Sequence, residues 1–410
     1  MYLVKFKNKK DLDLVKKLNI EIIEEFDRIP GILGIEGKKE DIKKLEKMEQ
    51  VASIEHDAQD EFDDDVFLVS EQQEEYSIEM LGVKKFWENG ITGKGIKVAV
   101  LDGGGQLHED LIYAGGVNIQ NPNETIHSDY RDHGTHVAGI IGMQHNDVGW
   151  VGVAPEAEIY VVKMDNNRGG GNTQSAQIAA VSWCIDNDMD IICMSISSTE
   201  EGVARNEAFR VAAEEYGIIC CTSAGNTDRG AAYEEDTIRY PAKLPYVVGC
   251  GSVDNDEVKA ESSSKGEGLD VVGPGVNIHS TLPDRTKGIS KRYGTKSGTS
   301  MSTPAIAGMF ALYKEMHPEL RRQELIDKVK DNAKPLGDKR LYGAGLVQPP
   351  EDLHLMKNSD LRPGQVLVIR DSRGLTEELI RRESDREVST IFTRDESGYV
   401  TTAETGEKEV

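Results

Sequence analysis

The run Gly298-Thr299-Ser300-Met301-Ser302-Thr303-Pro304-Ala305, continued by Ile306-Ala307-Gly308, most constrains how this chain can fold. A Gly-Thr turn leads into a long segment of small and apolar residues, so a helix is expected to begin beside a serine whose hydroxyl the turn exposes. The first N–H groups of such a helix have no intrahelical partner, and the helix dipole adds a partial positive charge there. That setting suits a nucleophile whose reaction develops an oxyanion. Pro304 is expected in the first turn, where its missing N–H costs least. Alone, such a run is more often just a capped helix start. A nucleophile also needs a base and an orienting acid elsewhere in the chain.

Three further blocks supply them. Val98-Ala99-Val100-Leu101 is a buried-strand run ending at Asp102-Gly103-Gly104. A carboxylate at the end of a buried strand requires partners. Asp132-His133-Gly134-Thr135-His136 places a histidine at the start of a small-residue helix, and Thr222-Ser223-Ala224-Gly225-Asn226 closes another apolar strand with an amide side chain. In the order acid, histidine, serine, these blocks resemble the subtilisin-like serine proteases, and the resemblance runs from about Tyr76 to Gln348.

The resemblance implies an α/β fold, a mainly parallel sheet flanked by helices with its site at the carboxyl ends of the strands. It makes Ser300 the nucleophile, His133 the base and Asp102 the orienting acid, with Asn226 and the Ser300 N–H as oxyanion donors. His136 is read as structural, because no third ligand joins the His133–His136 pair in sequence to make a zinc site. Gly103 stands where the family usually has Ser or Thr, which removes a hydroxyl able to steady the carboxylate.

The same resemblance implies a calcium loop at Gln144–Trp150. Side-chain oxygens of Asp110, Asn146 and Gln72 and the carbonyls of Gln144, Val148 and Trp150 would be the ligands, a hard-oxygen set suited to Ca²⁺. Arg168-Gly169-Gly170-Gly171-Asn172 is a glycine-rich turn. With no P-loop lysine after it, a phosphate site is a poor reading. The family uses Gly169, Gly170 and Gly171 as one edge for an extended peptide and Ser195-Ile196-Ser197 as the other, the mode of an added β-strand. Ser197 and Ser198 stand where the family typically has glycines; their side chains can narrow the P1 pocket, so no P1 residue is read from the sequence.

Residues 1–62 read as β-α-β-β-α-β: a strand at Tyr2–Phe6, helical spacing over Lys10–Leu18, strands at Ile20–Phe26 and Gly31–Ile35, a helix over Glu40–Met48 and a strand at Val51–Asp57. Before a subtilisin-like domain, this ferredoxin-like α+β module looks like the family's inhibitory prodomain. Residues 63–75 form an acidic processing linker and 76–350 the catalytic domain, with an amphipathic helix within Tyr76–Ile91. Residues 351–410 are an extension of unreadable role, with a strand at Gln365–Arg370, a helix at Thr376–Glu383 and two short strands within Ser389–Thr402.

With 72 acidic against 48 basic residues the formal charge is −24, which disfavours nucleic acid and anionic membrane as partners. No signal peptide or membrane-spanning run is read. The five cysteines fall mostly in apolar strand-like runs and fit buried free thiols of a reducing cytoplasm. The expected protein is therefore a cytoplasmic endopeptidase of the subtilisin type, acting on peptides or proteins and restrained by its own prodomain. A transpeptidase or cyclase using the same triad, and a non-catalytic scaffold, are the alternatives.

Overall fold

The computed structural model describes residues 1–8, 15, 18, 20–26, 28–57, 61–62, 76–146, 149–165, 172–284, 286–351 and 353, and the backbone of strands at 366–370, 376–382, 386–394 and 400–409. The chain opens with β1 (Tyr2–Phe6), β2 (Ile20–Glu25), β3 (Ile32–Gly37), α1 (Lys39–Glu46) and β4 (Val51–His56). These strands form an antiparallel sheet in the order β2-β3-β1-β4. Val4, Phe6, Leu33, Ile35, Ile42 and Leu45 form its core, as the period-2 strands and the amphipathic helix require. Of the helix expected over Lys10–Leu18, only Val15 and Leu18 lie within the described residues.

A two-residue strand, β5 (Glu61–Phe62), stands apart from that sheet. The single helix expected within Tyr76–Ile91 is instead two short ones, α2 (Tyr76–Met80) and α3 (Lys84–Glu88). Gly82 lies between them at φ +62, a left-handed conformation that breaks the helix and that glycine adopts without strain.

The central sheet comprises β6 (Lys97–Asp102), β7 (Tyr113–Asn118), β8 (Glu158–Lys163), β9 (Ile191–Met194), β11 (Ile219–Ser223), β12 (Val248–Val253) and β13 (Val271–Pro274). A two-residue strand, β10 (Ile196–Ser197), follows β9 outside it. Sheet order is β13-β12-β11-β9-β6-β8-β7, and every neighbouring pair is parallel. β9, β11 and β12 are buried along their whole length, which explains their unbroken apolar and small-residue composition. The strand sequence reverses direction about β6, whose neighbours are β8 and β9, so a crevice is expected at the carboxyl ends of these strands.

Helices cover both faces: α4 (Gly134–Gly142), α5 (Gln174–Asp186), α6 (Val203–Arg210) with a π turn at Val211–Glu215, and, after the hairpin β14 (Ile278–Leu282)–β15 (Arg292–Lys296), α7 (Thr299–Met316), α8 (Arg322–Asp331) and α9 (Lys339–Tyr342). Thr299 to Tyr313 of α7 are buried without a gap, so this helix runs through the core rather than over it. Among the described residues no helix is long and apolar enough to cross a membrane. All five cysteines are free and buried.

The last strands, β16 (Val366–Arg370), β17 (Thr376–Arg382), β18 (Arg386–Arg394) and β19 (Val400–Glu409), form an antiparallel sheet in sequence order. Thr376–Arg382 is therefore a strand rather than part of the helix expected over Thr376–Glu383. Its Glu, Leu and Arg residues favour one locally, but pairing on both sides, with β16 and with β18, outweighs that weak preference.

Candidate active site

Asp102 ends β6 and His133 caps the start of α4, and both are buried. His133 Nδ1 lies 2.7 Å from Asp102 Oδ2. The other carboxylate oxygen, Oδ1, accepts the Gly103 backbone N–H at 2.6 Å, so an amide supplies the contact that a neighbouring hydroxyl would otherwise make. Gly134 is required here. A Cβ at that position would sit 2.1 Å from the Gly104 carbonyl oxygen and 2.9 Å from Asp102 Oδ1.

Two residues missed by the sequence reading build this corner. Asp129 is buried, and its carboxylate accepts the Thr135 N–H at 2.8 Å, the Thr135 hydroxyl at 2.7 Å and the His133 N–H at 3.4 Å. It thereby holds the turn carrying the histidine; burial raises its pKa. Lys163, fully buried at the end of β8, donates from Nζ to the carbonyls of Gly103 and, at 2.9 Å, Ser128. Burial lowers its pKa, and Asp165, Asp129 and Asp102 oppose that shift. A lysine directly after the apolar run Ile159–Val162 was the available signal.

Ser300 is the second residue of α7 and fully buried. Its hydroxyl donates to the Ser195 carbonyl at 3.2 Å, and the Ser195 hydroxyl donates to the Ser300 carbonyl at 2.9 Å. The second bond accounts for Pro304. With the helix beginning at Thr299, Pro304 falls in the second turn rather than the first, and the N–H it lacks is the one that would serve the Ser300 carbonyl. Ser195 provides the replacement donor and ties the serine turn to the segment between β9 and β10.

Asn226 follows β11. Its Oδ1 accepts the Thr299 N–H at 3.0 Å and the Thr299 hydroxyl at 3.2 Å, which orients the amide. Its Nδ2 is buried and has no hydrogen-bond partner among the described residues, a costly state for a donor unless a ligand completes it. His136 is buried, 3.1 Å from the Gly294 carbonyl through Nε2, with its pKa pushed well down by burial.

β10 is the sheet edge at this site. Glu61 and Phe62 pair with it antiparallel, Phe62 opposite Ile196 and Glu61 opposite Ser197. Gly169, Gly170 and Gly171, expected as the facing edge, lie outside the described residues. Two further contacts join the N-terminal sheet region to helices flanking the central sheet. Glu55 accepts the Val203 and Ala204 N–H groups at 2.7 Å each, at the start of α6. Asp57 accepts the Ser175 N–H at 2.8 Å and its hydroxyl at 2.7 Å, at the start of α5. Both place a carboxylate where the helix dipole favours one. Beneath them Leu3, Phe26, Ile29 and Ile32 share an apolar cluster with Ala204, Ala208 and Phe209.

Of the expected calcium ligands, Gln72 and Val148 lie outside the described residues. Asp110, Gln144, Asn146 and Trp150 come together. The Asp110 carboxylate is fully buried and accepts from the Tyr293 hydroxyl at 3.2 Å, the Gln144 N–H at 3.3 Å, the Trp150 N–H and the Asn146 side chain. Its pKa is pushed up to about 6 by burial, and none of the groups opposing that rise is a cation. No cluster of three His, Cys, Asp or Glu occurs among the described residues. A single carboxylate with neutral oxygens nearby is the donor chemistry a hard cation takes, so the residues present fit Ca²⁺.

Compared with known proteins, residues 93–345 match the model of the subtilase family, Peptidase S8. The M-protease of Shouchella clausii is 34% identical over 332 residues, covering 81% of this chain and 81% of its own length. The alkaline protease of Alkalihalobacillus alcalophilus has the same identity and coverage. Subtilisin E of Bacillus subtilis is 36% identical over 307 residues, 75% of this chain and 76% of its own. The chain belongs to the subtilase family and is a subtilisin-like serine protease.

Proposed function

We propose that the chain is an endopeptidase in which Asp102, His133 and Ser300 work as a triad and residues 1–62 hold the enzyme inactive until the linker is cut. The buried Nδ2 of Asn226, held beside the serine turn with no partner among the described residues, is the observation that carries the catalytic half. A peptide strand on β10, extended past the position of Phe62, competes for the Ser195 carbonyl. The Ser300 hydroxyl then turns to His133, which takes its proton as the oxygen attacks the peptide carbonyl. Asp102 fixes the histidine tautomer through Nδ1–H and stabilises the imidazolium. The oxyanion is received by Asn226 Nδ2 and the Ser300 N–H. The imidazolium returns its proton to the leaving amine, and water resolves the acyl-enzyme. A serine-directed phosphonate tests this: it should label Ser300 in the wild type and fail on His133→Ala. Equal labelling of both would remove His133 from the mechanism.

Autoinhibition is supported by the strand order β2-β3-β1-β4, by Glu55 and Asp57 at the starts of α6 and α5, and by Glu61–Phe62 on the edge that a substrate would use. Boundaries at residues 62, 75 and 350 follow from that division, with 351–410 an extension that carries the sheet β16-β17-β18-β19. The five buried free thiols favour a reducing compartment, the cytoplasm. In the full-length chain, Glu55→Ala with Asp57→Ala should weaken the docked state and shorten the lag before activity appears. An unchanged lag would show that these contacts do not hold the inhibited form.

Calcium would be held by Asp110 and Asn146, with the carbonyls of Gln144, Val148 and Trp150 and the Gln72 side chain. It would neutralise a buried carboxylate and brace the loop after α4, and it takes no part in the chemistry. A ligand bound only by the native state raises stability by about 2.7 kcal/mol at a hundredfold excess over Kd. The melting temperature should therefore fall on chelation and recover with Ca²⁺, and Asp110→Asn should be much less sensitive. Equal melting temperatures in chelator and in calcium would exclude the site.

A further inference from the structure

Arg239 lies at the junction of the two segments that flank the serine turn. Its backbone N–H donates to the Ala224 carbonyl at 2.9 Å, directly before Gly225 and the oxyanion donor Asn226. The next residue, Tyr240, exchanges two backbone hydrogen bonds of 2.9 Å with Ser198, directly after β10. Arg239–Tyr240 thus bridges the wall that carries the substrate edge and the wall that carries Asn226. The Arg239 side chain turns across the second wall. A Cβ built on Gly225, at φ +104, would meet Arg239 Cγ and Cδ at 2.9 Å, and Arg239 Nε is buried.

The direction of the bound segment says which substrate side chain this guanidinium serves. β5 is antiparallel to β10, so from Glu61 opposite Ser197 to Phe62 opposite Ile196 it runs towards Ser195, whose carbonyl accepts the Ser300 hydroxyl. The residue whose carbonyl is attacked therefore follows the one paired with Ile196, and its side chain enters between the two walls that Arg239–Tyr240 joins. In the sequence of the chain's own segment, Phe62 is followed by Asp63-Asp64-Asp65.

From this placement we infer that Arg239 is a specificity-determining residue that selects Asp or Glu at the position donating the acyl group. A guanidinium recognises a carboxylate through paired charge-assisted hydrogen bonds, and a pocket built for such bonds discriminates strongly against side chains that cannot make them. The hydroxyl of Ser197, buried and with no partner among the described residues, is a further polar group on the β10 wall. The assignment rests on the protease reading above.

The test uses the processed enzyme and peptides identical except for Asp, Glu, Phe or Lys at the acyl position, with kcat/KM measured for each. Asp or Glu should exceed Phe and Lys by at least about tenfold. In Arg239→Glu the order should reverse towards Lys. A wild type that prefers Phe, or an Arg239→Glu variant with the wild-type order, overturns the assignment and leaves the protease reading standing. Hydrolysis of none of the four peptides, with no phosphonate label on Ser300, overturns both.

Discussion

Ser300→Ala is expected to lower kcat by about six orders of magnitude, the loss found when the serine of a subtilisin triad is removed, while the protein stays folded. The rate effect is large because the members of a triad act as one unit: without the nucleophile, His133 and Asp102 have no proton to move. The fold effect is small because the bond from the Ser300 hydroxyl to the Ser195 carbonyl is long, at 3.2 Å. The bond that anchors the turn runs from the Ser195 hydroxyl to the Ser300 main-chain carbonyl and survives the substitution. Rates should be read beside thermal unfolding. A variant that unfolds at the wild-type temperature and still turns over peptide at more than a trace would remove Ser300 from the chemistry.

The second large effect is at Asn226. Asn226→Leu should cost about 10²–10³ in kcat, the size established for the equivalent donor in subtilisin, with little change in KM. The split follows from where the charge appears. Among the described residues the Nδ2 has no hydrogen-bond partner, so it is open to the carbonyl oxygen, and its bond strengthens as that oxygen becomes an anion. Deleting it removes transition-state stabilisation and spares ground-state binding. Leucine also loses the Thr299 contact through Oδ1, so Asn226→Asp is a useful companion: it keeps an acceptor for Thr299 and replaces the donor with a negative charge. Both variants should lose kcat. A rise in KM alone would place Asn226 in substrate binding instead.

Much of this was legible in the sequence because the site is built at strand and helix ends. Asp102, Asn226 and Ser300 each sit where an apolar run meets a glycine-containing turn, and such junctions survive translation into a parallel sheet. The residues that support them were not legible in the same way. Lys163 reads as the polar end of a strand until β8 is seen to bring it beneath Gly103. Asp129 lies in a polar stretch whose importance comes only from its bonds to Thr135 and His133. Pro304 was placed one turn too early, because the sequence does not reveal that the helix starts at Thr299 or that a side chain from Ser195 takes over the carbonyl. Arg239 carries no local signal, since its place depends on Tyr240 pairing with Ser198 far along the chain. In β17, pairing with two neighbours overrode a helix-favouring composition.

The measurement that tests the central claim most directly is the intact mass of the full-length chain incubated beside its Ser300→Ala variant. The wild type should lose its N-terminal residues by a cut in the linker beyond Phe62, with activity rising as the mass falls, while Ser300→Ala should keep the mass of all 410 residues. Identical masses for the two proteins throughout, whether both intact or both cut, would contradict a triad at Ser300 that releases its own inhibitor.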